Sequence, residues 1–187
     1  MHAMTTTLEL PERRRLFGRT WWRMLLITLV VLLVLGGLAA STPLSRQDAA
    51  QLEEQVGETL AQDPTTALIF VNNVRIGLAM LIPVLGPIFG GYVIFQTGLV
   101  FAAFGISSGL PGIALFVASM LFPFFWLEFV AYAAAIGQSI FLLASFWRHR
   151  VRFEARRTAV VAGLVALLLF VGAVVEEALL TFFGQLG

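Results

Sequence analysis

Between Met24 and Phe182 the chain is a succession of apolar runs, each close to the length of a bilayer crossing or a fraction of one. Hydrocarbon offers no partner for backbone amides and carbonyls, so only helices and closed barrels cross it. No stretch reads as a strand. Runs near residues 24–40, 65–85, 87–106, 124–147 and 158–182 approach the roughly 20 residues that a helical crossing needs. The expected fold class is therefore all-α: a polytopic membrane helix bundle of five spans plus a short half-helix or re-entrant segment. The composition, 59% hydrophobic and 12% charged over 187 residues, fits that class and not a soluble domain. A net charge of +1 implies no nucleic-acid partner. Without cysteine there is no disulfide framework and no thiolate chemistry.

The polar segments fix an expected orientation. Residues 1–23 carry Arg13, Arg14, Arg15, Arg19 and Arg23, with Trp21 and Trp22 where an aromatic belt would sit. Residues 24–40 are too long for a typical signal segment and read as an uncleaved first span. Residues 41–64 form a net acidic loop, in which Ser45 and Asp48 open a short helix with an apolar stripe of Ala49, Leu52, Val56 and Leu60. Arg148, Arg150, Arg152, Arg156 and Arg157 make a second basic segment. Excess arginine marks the cytoplasmic side. The N-terminus is then cytoplasmic, the acidic loop is extracytoplasmic, and five spans leave the C-terminus outside. Residues 65–187 form the core membrane domain of a multi-pass protein, expected in the plasma membrane.

Two breaks interrupt the core. Pro83, Gly86 and Pro87 end the second span. Pro123 separates residues 113–122, too short to cross, from a full span at 124–147. The shorter piece reads as the half-helix. Gly91, Gly98 and Gly105 recur every seven residues along the third span, a strip that lets another helix backbone come close.

Polar side chains inside the apolar runs are the candidate site. Asn72, Asn73 and Arg75 lie in one span, Glu128 in another and Glu176 in the last; Gln96, Gln138 and Glu177 are secondary candidates. Counting at 1.5 Å per residue puts Asn72 and Arg75 about 10–15 Å from the outer end, Glu128 about 8 Å past Pro123 and Glu176 about 9 Å from Phe182. Three helices thus bring opposite charges to a similar depth. Groups of this kind face protein or a water-filled cavity. Gly172, four residues before Glu176, leaves a gap one turn from that carboxylate, which favours Glu176 over Glu177 as the central member. Two readings of the cluster stay open. It is a structural lock that sets helix register, or a functional site: one that handles an ion, a proton or a ligand, or an intramembrane hydrolase centre built on the glutamates.

Enzyme signatures are weak. The only histidines are His2 and His149, far from this level, so zinc sites and histidine-dependent nucleophiles are excluded there. No metal and no cofactor is expected.

The segment Phe70-Val71-Asn72-Asn73-Val74-Arg75, the glycine-rich third span, Pro123 five residues before Glu128, and the late Glu176 together resemble the stage II sporulation protein M family of integral membrane proteins. The resemblance runs over roughly residues 67–182. In that family the proline is followed by histidine and glycine; here Phe124 and Phe125 occupy those positions. The resemblance implies a five-span helical protein. It also implies a scaffolding role, since the namesake anchors a cell-wall-degrading machine during engulfment. The resulting expectation is a non-enzymatic membrane scaffold or assembly factor with a protein partner or a homo-oligomeric state. The alternative is a small transporter, channel or ligand-binding membrane protein that uses the polar cluster.

Overall fold

The computed structural model describes residues 16–60, 65–147 and 151–184. Seven helices account for them, with no strand among the described residues: α1 (Arg19–Ala40), α2 (Arg46–Leu60), α3 (Thr66–Ala79), α4 (Leu85–Ser108), α5 (Gly112–Ser119), α6 (Pro123–Trp147) and α7 (Val151–Gly184). His2, Arg13, Arg14, Arg15, Asp63, Pro64, Arg148, His149 and Arg150 lie outside the described residues.

Four helices, α1, α4, α6 and α7, are long and apolar enough to cross a membrane. Four of the five spans expected from the sequence correspond to these helices; the fifth, expected over residues 65–85, corresponds to the shorter apolar helix α3. Its 14 residues cover about 21 Å, less than a hydrocarbon core of about 30 Å. α3 stops where Pro83 removes a backbone donor. The Leu85 amide bonds to the Pro83 carbonyl at 2.8 Å, closing a three-residue turn centred on Val84, whose φ is 67°. A β-branched residue rarely adopts that conformation, so the reversal into α4 is strained. The half-helix is α5, three residues shorter than expected at its far end, and Pro123 opens α6.

The final helix differs most from expectation. Residues 151–157, read from their charge as cytoplasmic loop, are the first two turns of α7. At 34 residues α7 extends about 51 Å, longer than a hydrocarbon core of about 30 Å.

α6 is the centre of the bundle. Every residue from Ala131 to Ser139 is buried, which requires neighbours on all sides. α7 and α1 make its most extensive contacts, and α3 packs mainly on α7. Ala131, Ala133, Ala134, Ala135 and Gly137 give this stretch a thin profile that lets those helices close in. Where the resemblance places histidine and glycine, Phe125 stacks on Phe129 with ring centroids 4.2 Å apart, and both meet Phe116 of α5. This aromatic cluster seats the half-helix against α6.

The glycine strip of α4 is used inside the chain. A Cβ at Gly98 would lie 2.5 Å from the Gly36 carbonyl and from the Ala39 side chain; one at Gly105 would lie 2.7 Å from the Leu110 carbonyl and the Gly112 amide. Gly91 faces Leu35 at an ordinary 3.8 Å. The strip thus receives α1 and the start of α5. α2 opens as expected, the Asp48 amide bonding to Ser45 Oγ at 3.1 Å, and packs on α4 with Ala49 buried.

Gly98→Val tests this packing. Backbone, not a flexible side chain, blocks the added atoms, so the variant should lose about 1–3 kcal/mol of stability, read as a lower midpoint in thermal unfolding of the detergent-solubilised protein. Gly91→Ala, with room at its position, should leave the midpoint unchanged.

Candidate functional site

Two polar layers cross the bundle, one near each end of the buried stretch of α6. The first is built where α3 meets α6 and α7. Thr65 caps α3, its hydroxyl accepting from the Leu68 amide. The next donors of that open helix end are taken by Glu177: the Thr66 amide donates to its carboxylate at 2.9 Å, and the Thr66 hydroxyl donates to the same oxygen. A carboxylate there also meets the positive end of the α3 dipole. Two turns further along, the Asn73 amide donates to Glu128 Oε1 at 2.5 Å, joining α3 to α6. Gly172 of α7 faces this contact, and a Cβ there would lie at ordinary contact distances of 3.7 Å from Leu127 and 3.9 Å from Glu128. Glu176 is half-buried one turn beyond Gly172 on α7, and Tyr132 is buried one turn along α6 from Glu128.

The sequence candidates thus separate. Asn73 and Glu128 meet; Glu176 forms no hydrogen bond with either among the described residues, and buried Tyr132, not singled out from the sequence, lies one turn along α6 from Glu128. Glu177, ranked behind Glu176, makes the direct hydrogen bonds to α3. Asn72 and Arg75 are exposed on the opposite face of α3. Asn72 reaches only its neighbour Asn73, at 3.4 Å, and Arg75 forms no ion pair among the described residues. The geometry follows from helical spacing, since Arg75 stands about 200° around the axis from Asn73. Gln96, half-buried on α4, joins neither layer.

The second layer is centred on Gln138, about 15 Å along α6 from Glu128. Its side chain is 0% exposed and every bonding position is filled. The oxygen accepts from Trp21 Nε1 at 3.3 Å and from Arg157 Nε at 2.9 Å. The nitrogen donates to Thr158 Oγ1 at 2.9 Å and to Glu154 Oε2 at 3.4 Å. Arg157 Nη2 lies 2.5 Å from Glu154 Oε2, and the guanidinium covers the Phe141 ring at 4.5 Å. Arg157 is only 6% exposed and Glu154 9%. Gln138 therefore belongs not with Glu128 but to a separate junction of α1, α6 and α7. Charge density in residues 148–157 hid this network. Spacing carried the signal: Glu154, Arg157 and Thr158 continue the stripe of Val161, Val165 and Leu169, all buried on one helix face.

Among the described residues no group of three or more His, Cys, Asp or Glu side chains is placed to hold a metal ion. Asn73, Glu128 and Gln138 are each hydrogen-bonded to side chains of neighbouring helices.

Apolar crossing helices joined at two levels by side-chain hydrogen bonds define a polytopic α-helical membrane protein. The sequence model of stage II sporulation protein M matches residues 13–181, which include both polar layers, and the chain belongs to that family. No curated protein and no solved structure matches it.

The second layer gives a sharp stability test. Arg157→Leu leaves the Glu154 carboxylate buried without its cation and should cost about 3 kcal/mol. The double variant Glu154→Leu/Arg157→Leu removes both charges and should regain most of that loss. Unfolding midpoints of the two variants in detergent decide the matter.

Proposed function

We propose that this protein is a non-enzymatic scaffold or assembly factor of the cell membrane, and that its intramembrane polar groups act as locks between helices. The observation that supports this most is the pairing of those groups. Asn73 is bonded to Glu128, Glu177 to the start of α3, and Gln138 to four side chains from α1 and α7. Catalysis or transport needs polar groups that can bind and release a substrate; here they bind neighbouring helices. Family membership points the same way. A scaffold presents surfaces to partners, and α2, docked on α4 with an acidic outward face, is one such surface.

The orientation belongs to the same proposal. Exposed Arg19, Arg23, Arg152 and Arg156 gather at the Trp21 end of the bundle, which we assign to the cytoplasm. Acidic α2 and the C-terminal end of α7 then face outward.

Transport assays separate this reading from that of a transporter or channel. Proteoliposomes containing the full chain should pass protons and monovalent cations no faster than protein-free vesicles, as followed with pH- and cation-sensitive dyes. Glu128→Gln and Asn73→Ala should leave that rate unchanged. A wild-type flux abolished by Glu128→Gln would replace the scaffold with a transport site at the first polar layer.

A further inference from the structure

The exposed face of α3 is unfinished. Leu68, Val71, Asn72, Arg75 and Leu78 all point away from α6 and α7. Arg75 lies nine residues below Thr66, about 13 Å along the helix, between the two polar layers and not near an end of the bundle. It has no hydrogen bond and no ion pair among the described residues. A guanidinium at such a depth is expensive against hydrocarbon, and snorkelling relieves it only near helix ends. One turn further along the same face, Ala79 opens onto a groove of about 490 Å³ lined also by Ile82, Leu85, Ile88, Phe89 and Tyr92. The groove exists because α3 and α4 touch little on either side of the strained turn at Val84.

We propose that this face, from Asn72 and Arg75 down into the α3–α4 groove, receives a transmembrane helix of another protein that carries a carboxylate at the level of Arg75. Apolar side chains of that helix fill the groove, and its carboxylate pairs with the guanidinium. Charge complementarity selects this occupant. A second copy of the chain has no carboxylate to offer: its intramembrane glutamates, Glu128, Glu176 and Glu177, are partly buried on the α6–α7 side of α3. A symmetric pairing through this face would set Arg75 against Arg75. Lipid phosphates sit at the membrane surface, above this depth. The inference builds on the scaffold reading and names the chemistry of the partner; the flux assay and the association assay below fail independently.

The test uses a fluorescent leucine–alanine transmembrane helix with one central aspartate, and the same helix with leucine in its place. Each is reconstituted with the labelled full-length protein in zwitterionic vesicles, and association is read by energy transfer. The aspartate helix should associate about tenfold more tightly. Arg75→Gln should erase that preference without shifting the unfolding midpoint, because Arg75 contributes no contact to the fold. Equal association of the two helices, or a preference that survives Arg75→Gln, would overturn the proposal. So would chain self-association that depends on Arg75, which assigns the face to a second copy. Displacement of the aspartate helix by an anionic lipid would also overturn it and assign Arg75 to a headgroup.

Discussion

The structure depends on one helix that is buried on every side. From Ala131 to Ser139 no residue of α6 reaches the surface, and in a bilayer that burial has no hydrophobic drive behind it, because lipid tails are as apolar as the core. Close packing and interhelical hydrogen bonds have to supply the attraction. Alanine and glycine give α6 the thin profile that packing needs. Glu128 and Gln138, on either side of the alanine-rich segment, supply the polar contacts. Asn73 and α3 are held at one level, Trp21 and the first turns of α7 at the other. Fixing α6 at two points about 15 Å apart sets register as well as contact. A one-turn slip of α7 would separate Gln138 from Thr158 and Arg157 together.

Much of the architecture was legible in the sequence because bilayer thickness and backbone hydrogen bonding leave few options. Apolar runs located α1, α4 and α6 closely, and Pro123 marked the boundary of the half-helix. The capping pair Ser45–Asp48 marked α2. Two features misled. Apolar composition near residues 65–85 suggested a full span, whereas the turn at Pro83-Val84-Leu85 shortens α3. Arginine density in residues 148–157 suggested a loop, whereas helical spacing already placed Glu154 and Arg157 on the buried stripe of α7. For the candidate site, depth was readable by counting residues, which brought Asn73, Glu128 and Glu176 to one level. Which side of α3 meets α6 was not, because Asn72, Asn73 and Arg75 cover most of the helix circumference. Gly77, packed against Tyr132, Val165 and Leu169, marks the inward side.

The same helix therefore serves two purposes. Asn73 looks inward and is spent on Glu128; Asn72 and Arg75 look outward and are left over. On the proposed reading, the inward group is a lock between helices and the outward pair is the contact point for a partner. That division fits a scaffold better than a transport pathway, which would gather both sets of groups around a shared cavity. Phe125 fills the space between α5 and α6 with an aromatic stack and brings no acid–base chemistry to it.

On the proposed reading, intramembrane polar pairs hold the helices together. A double-mutant cycle on Asn73 and Glu128, using Asn73→Ala, Glu128→Ala and the double variant with unfolding followed in a bilayer mimic, measures it most directly. A coupling energy of about 0.6 kcal/mol, and no more than about 1.7 kcal/mol, is expected, the average and the maximum for hydrogen bonds between transmembrane helices. Additive losses with no coupling would contradict it.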